Sequence, residues 1–307
     1  MSKKIEELIK NINSVIVGKD ESIKYLIIAL LSKGHILIED TPGLGKTILA
    51  RALSKSLSAD LHRVQCTPDL LPSDITGVSI YNEREMSFEF KPGPIFTNIL
   101  LVDEINRTTP RTQSSMLEAM GEHQVSPDGN TYKLPPLFMV IATQNPIEFH
   151  GTYPLPEAQL DRFFMRISMG YPTIEEEIQI MQMQEKTHPI EFLKDVISID
   201  EIMQLQKEVS NIKIDKIVIK YIASIIHALR EHTSLSYGAS PRGSLALMQA
   251  AKAFAFIDGH SFVDPNIVKR VAIPVLAHRI VIKPQYISNL SQEDIIFDVL
   301  AKTKVPN

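Results

Sequence analysis

At 307 residues, 44% hydrophobic and 22% charged, the chain has the composition of a globular protein large enough for one big domain or two unequal ones. A net charge of -4 and a pI near 6.2 exclude a broadly basic surface, so the charge balance argues against nucleic acid as a partner. The single cysteine, Cys66, excludes an internal disulfide, the nine histidines show no metal-ligand spacing, and the apolar run "YLIIALL" at 25–31 is well short of the roughly 20 residues of a membrane span.

The charged start "MSKKIEE" is followed by no signal-type apolar run, so a cytoplasmic protein without membrane insertion is expected. Helical periodicity runs from 4 to 32, with Ile5, Leu8, Ile9 and Ile12 on one face and "VIVGKD" as an interruption. Short apolar runs then alternate with amphipathic helices: "HILIED" at 35–40, "ILARALSKSL" at 48–57, "LHRVQC" at 61–66, "ILLVDE" at 99–104, "RTQSSMLEAMGE" at 111–122, "LFMVIATQN" at 137–145 and "FFMRISM" at 163–169. That alternation predicts an α/β fold with a mostly parallel sheet covered on both faces. Two inserts break the rhythm, a strand pair at 77–96 and a hairpin about Asp128-Gly129 at 123–134, and both are candidates for contact with another molecule. From Tyr171-Pro172 onward helical patterns take over, dividing the chain into a core at 1–172 and an all-α domain at 173–307. Glu175, Glu176 and Glu177 suit the start of its first helix, and Met181, Met183 and Met203 are expected to fill the core.

The stretch "EDTPGLGKT" at 39–47 places a strand, a tight turn and a helix start in the order of a phosphate cradle. Gly43 and Gly45 can take positive φ and aim backbone N–H groups at a phosphate, Lys46 would reach the β and γ phosphates, and the Thr47 hydroxyl would bind Mg²⁺. Asp40 stands where the pattern has its first glycine, and a chance Gly-x-Gly-Lys-Thr turn is the competing explanation. Asp103 and Glu104 end an apolar strand, where open α/β sheets bind ligands; Asp103 suits the Mg²⁺ shell and Glu104 the attacking water, unless the pair merely caps a helix. Asn145 ends the next apolar strand, as a contact to water or the γ phosphate or as a turn before Pro146. Arg162 follows as an anion contact or a surface ion pair with Asp161 or Glu157. Arg242 sits near a helix start capped by Ser240, poorly matched to the helix dipole unless an anion is present.

The ordered set "EDTPGLGKT", "RVQCTPDLLPSDITG", "ILLVDEINR", "MLEAMGEHQV", "VIATQNPIEFHGTYPLPEAQLDRF" and "GASPRG" resembles the MoxR family of AAA+ ATPases over nearly the whole chain. The resemblance implies a P-loop AAA+ core with a five-stranded sheet, a helical lid, and ATP and Mg²⁺ as ligands. It implies a loop of Pro42, Gly43, Leu44, Gly45, Lys46, Thr47 and Ile48, with Asp103 and Glu104 as Walker B and Asn145 as the sensor on its strand. Arg162 would be the arginine finger for a neighbouring subunit, Arg242 the lid sensor reaching its own γ phosphate, and Val17 and Gly18 the adenine side. Cys66 and the pair Phe149-His150 depart from the family's habit, while an acid at the position of Asp40 is common in it. The activity the resemblance implies is ATP hydrolysis in a ring, expected to be a hexamer, with chaperone-like work on a client complex and a partner bearing a von Willebrand factor A domain. The competing functions are a nucleic-acid remodeller and an ATP-dependent scaffold with little turnover.

Overall fold

The computed structural model describes residues 3–146, 151–185 and 188–306; Phe149 and His150 lie outside the described residues. Helices α1 (Lys3–Asn13) and α2 (Asp20–Leu31) precede β1 (Ile36–Glu39), α3 (Lys46–Ser56), β2 (Leu61–Gln65) and the short α4 (Pro72–Thr76). The first insert is β3 (Gly77–Asn82) and β4 (Ser87–Pro92), followed by β5 (Ile99–Asp103) and α5 (Pro110–Glu122). The second insert is β6 (Gln124–Val125) and β7 (Tyr132–Lys133), after which come β8 (Met139–Gln144), the short α6 (Glu157–Leu160) and β9 (Met165–Ile167).

Five strands pair in the order β2-β5-β8-β1-β9, all parallel, and both inserts are antiparallel hairpins. The three central strands, β5, β8 and β1, are almost wholly apolar because their residues meet one of two cores, whereas the edge strand β2 carries exposed His62, Arg63 and Gln65. Ile36, Ile38, Ile99, Leu101, Met139 and Ile141 face the cluster under α1, α2 and α3, while Leu37, Leu100, Val102, Val140 and Ala142 face the cluster under α5. This period of two within continuous apolar runs is what a doubly covered parallel sheet demands.

Among the described residues that follow, six α-helices are present: α7 (Ile174–Met183), α8 (Ile199–Ser210), α9 (Lys216–Glu231), α10 (Pro241–Ile257), α11 (Pro265–Leu276) and α12 (Gln292–Lys302). Their starts are written in the sequence, since Thr173, Ser198, Asp215, Ser240, Asp264 and Ser291 each accept a backbone N–H at the N-cap. The helical region is not purely α: Lys213–Ile214 pairs with Phe262–Val263, and Leu235–Tyr237 with Val281–Ile282. Nor does the apolar core break at residue 172, because Tyr221, Leu247 and Phe254 join the same cluster as α1 and α2. The expectation for Met181 fails. It is 61% exposed on α7, a helix with no buried residue, where Ile174, Ile178 and Met181 form an outward stripe. Among the described residues no helix is long and apolar enough to cross a membrane.

Candidate active site

The carboxyl ends of the five strands gather the predicted chemistry. Gly43 and Gly45 have φ of 87° and 85°, the left-handed conformation that glycine adopts without strain, and Gly45 is the N-cap of α3. A cavity of about 390 Å³ opens here, lined by Pro42, Gly43, Gly45, Lys46, Thr47 and Ile48 on one side and by Asp103, Glu104 and Asn145 on the other. Leu44 does not line it, and neither do Val17 and Gly18; the space beside Gly18 is filled by the carboxylate of Glu176. Lys46 is 9% exposed, and its Nζ donates to the Asp40 carbonyl at 2.6 Å. Burial lowers its pKa, opposed by the carboxylates of Asp40, Asp103 and Glu104.

The acidic pair is held from three directions. Thr143 Oγ1 donates to Asp103 Oδ1 at 2.6 Å and accepts the Glu104 N–H at 2.9 Å, bracing a Glu104 backbone in the left-handed region at φ 57°. Arg63 donates twice to Asp103 Oδ2, at 2.7 and 3.1 Å, and Gln65 Nε2 donates to Glu104 Oε2 at 3.1 Å. Arg107 pairs with Glu104 at 3.0 Å. Backbone N–H groups at a helix start, one ammonium, one hydroxyl and an acidic pair are the donor set that fits a triphosphate with a hard divalent cation. A larger cavity, about 860 Å³ between α2, β9, α11 and α12, carries both signs of charge and none of the predicted residues.

The two predicted arginines lie elsewhere. Arg162 and Arg242 line a cavity of about 330 Å³ with Lys33, Gly34, His35 and Arg279, at the amino ends of β1 and β9. Arg162 donates to the Leu117 carbonyl at 2.8 Å rather than pairing with Asp161 or Glu157. Asp161 instead serves Arg279 at 2.9 Å, Ser240 Oγ at 2.9 Å and Arg242 at 3.8 Å. Arg279 is almost wholly buried, and burial brings its pKa down to about 10 against the opposing pull of the Asp161 carboxylate. His35, buried beside this face, accepts the Val140 N–H at Nδ1, so its Nε2–H donates to the Met120 carbonyl, and burial pushes its pKa down to about 4.

Comparison with known proteins bears on the family and the fold. Residues 35–165 match the ATPase family associated with various cellular activities (AAA), and residues 227–298 match the AAA lid domain. Chaperone MoxR1 of Mycobacterium tuberculosis is 38% identical, covering 98% of this chain and 82% of that protein, and protein MoxR of Paracoccus denitrificans is 30% identical over 90% and 88%. The chain belongs to the MoxR family of AAA+ ATPases. An uncharacterized relative, YeaC of Bacillus subtilis, is 50% identical over 97% of this chain and 93% of its own length. A crystal structure from Cytophaga hutchinsonii, described as a candidate ATPase, superimposes with a TM-score of 0.92 at 38% identity, covering 99% of this chain and 95% of that one.

Within this MoxR-family fold, one expectation needs correcting. Arg242 does not approach its own phosphate loop: it sits at the opposite end of β1, and the five residue steps from His35 to Asp40 span about 16 Å. Its helix, α10, packs on α2 and α11, which carries the helix start to the amino edge of the sheet. Sequence reasoning also missed Thr143, Arg63, Gln65 and Arg279. The signal for the first three was present, since each is a polar residue on a strand flanking "ILLVDE", Thr143 and Gln65 at its carboxyl end and Arg63 two residues before the end of β2.

Proposed function

We propose that this MoxR-family chain hydrolyses ATP at a site shared by two copies in a head-to-tail ring, for which the family resemblance suggests six subunits. The observation that carries this reading is the separation of cradle and arginines: the phosphate loop lies at one edge of the sheet, and Arg162 and Arg242 share a cavity at the other. A neighbour that brings its arginine edge to the loop of the next copy completes every site.

In this reading Gly43, Gly45 and Lys46 bind the phosphate chain, with Pro42, Leu44 and Ile48 shaping the loop. Lys46 transfers its Nζ from the Asp40 carbonyl to phosphate oxygen. Thr47 and Asp103 would hold Mg²⁺, which when bound offsets the charge of the β and γ phosphates. Glu104 orients water, its carboxylate kept in place by Gln65 and Arg107. Asn145, 6% exposed beside the acidic pair, suits the same water or the γ phosphate. Arg162 and Arg242 of the neighbour would stabilise transition-state charge, a contribution of about 10³ to 10⁵ in rate for a finger arginine. Val17 and Gly18 stay the proposed adenine side on the family resemblance; next to them Lys19 Nζ donates to the Tyr171 carbonyl at 3.1 Å, and Thr41 Oγ1 of the phosphate loop donates to Tyr171 Oη at 3.1 Å.

The work done with ATP is proposed to be remodelling of a client protein complex in the cytoplasm, with a von Willebrand factor A domain protein as partner. The name of the mycobacterial relative supports a chaperone role. So does the first hairpin, which exposes Met86 and the edge-to-face pair Tyr81–Phe88 among Glu83, Glu85 and Glu89. Exposed apolar side chains among three acids and only two basic residues, Arg84 and Lys91, suit a protein better than a phosphate backbone. Glu104→Gln is the deciding variant. Turnover should fall by at least about 10²-fold with MgATP binding retained, whereas a scaffold would show no turnover in the wild type and unchanged partner assembly in the variant. Steep, salt-sensitive stimulation of turnover by DNA or RNA would instead favour a nucleic-acid remodeller.

A further inference from the structure

We propose that Asp40 is a positioning residue that couples the phosphate loop to the segment leading from the sheet into the helical region. The inference rests on the nucleotide reading and adds to it a route by which occupancy of the loop reaches α7.

Asp40 occupies the place where the loop pattern has glycine, and it is 7% exposed. Its carboxylate accepts three donors from one short stretch: Ser168 Oγ at 2.6 Å, the Met169 N–H at 2.5 Å and the Gly170 N–H at 3.4 Å. Hydrogen bonds to an ionised acceptor are about twice as strong as neutral ones, and Met169 is itself buried, so its N–H has little access to water as a substitute. The stretch follows the edge strand β9 directly and runs through Tyr171 to Thr173, the N-cap of α7. Two neighbouring contacts reinforce the tie, Thr41 Oγ1 to Tyr171 Oη and the Met169 side chain packed over Gly45.

The main chain of Asp40 is engaged on the other side. Its N–H donates to the Gln144 carbonyl on the strand that ends at Asn145, and its own carbonyl takes the Lys46 ammonium. One residue therefore joins the sensor strand, the loop lysine and the path to α7. Phosphate at the loop draws Lys46 away from the Asp40 carbonyl, and the carboxylate carries the resulting shift into 168–170. Glycine at this position would complete the usual loop pattern and cut the link.

The test uses the full-length protein, MgADP as probe, and hydrogen–deuterium exchange of peptides spanning 166–176. In the wild type MgADP should slow exchange there by about tenfold, the effect of about one charged hydrogen bond. Asp40→Gly should bind MgADP within about threefold of the wild type while the slowing disappears. Asp40→Asn, which keeps one acceptor oxygen but turns an amide toward the second N–H, should recover part of it. A merely structural brace would raise exchange in Asp40→Gly with and without nucleotide and leave the MgADP response intact, and that result overturns the proposal. Should Asp40→Gly fold poorly, Asp40→Asn alone decides, since an MgADP response equal to the wild type contradicts the coupling. A wild type that binds MgADP without slowing 166–176 also ends the proposal but leaves the nucleotide reading standing; absence of MgADP binding ends both.

Discussion

Placing Arg162 and Arg242 on one face makes a prediction that a sensor acting within its own subunit does not. The perturbation is a double variant, Arg162→Ala with Arg242→Ala, mixed in equal amounts with Glu104→Gln. Each protein alone should be nearly inactive: one offers no cation to the adjoining site, a loss of about 10³ to 10⁵ in rate, and the other lacks the carboxylate that orients water. In a randomly ordered head-to-tail ring, half of the sites keep Glu104, and half of those adjoin a subunit with both arginines, so about one quarter of the sites are complete. Phosphate release at saturating MgATP should therefore recover to about a quarter of the wild-type rate, with native mass spectrometry confirming mixed rings. If Arg242 worked at its own subunit's phosphate loop, every Glu104-bearing site contributed by the double variant would lack it. Recovery with the single Arg162→Ala variant but not with the double variant would refute the shared-face argument. That outcome would require Arg242 to cross from the amino to the carboxyl edge of the sheet.

His35, at about 4, and His278, well below the ordinary histidine value, both resist protonation in the folded state because they are buried. An unfolded histidine takes its proton near pH 6.5, so stability is full above that pH and is lost as pH falls toward 4, by about 3 kcal/mol for His35 alone; a denaturant midpoint flat from pH 6.5 to 4.5 would contradict this. Cys66 is pushed up to about 12 by burial and by the charges of Asp103 and Glu104, so native protein at pH 8 should label with thiol reagents only as fast as it opens, and prompt labelling would disprove the burial. A Cβ at Gly34 would overlap Cβ and Cγ of Phe164, so Gly34→Ala should cost about 1–3 kcal/mol in chemical denaturation.

The strands and the acidic pair were legible because they obey local rules. "ILLVDE" is a buried strand ending at the ligand edge of a parallel sheet, and it is that in the structure. "EDTPGLGKT" needs only two glycines with positive φ and a helix start, both present. What escaped is what depends on packing between distant segments. The residues around Arg242 correctly predict a capped helix start, yet which edge of the sheet it reaches is set by how α10 lies on α2 and α11. Met181 repeats the lesson: apolar spacing on α7 says that one face is apolar, not that anything in the same chain covers it. Asp40 was legible as an anomaly, but its partners lie 128 to 130 residues away.

The two inserts touch, with Phe90 of the first stacked on Tyr132 of the second at 4.0 Å between ring centres. The second insert grows directly from the end of α5, whose start follows Asp103 and Glu104 by a few residues and whose Leu117 carbonyl holds Arg162. Helix α5 is thus a connecting rod between the acidic pair, the arginine edge and a stacked pair of hairpins. Through the Phe90–Tyr132 stack both hairpins, and with them the exposed Met86 and Phe88, are tied to that one helix.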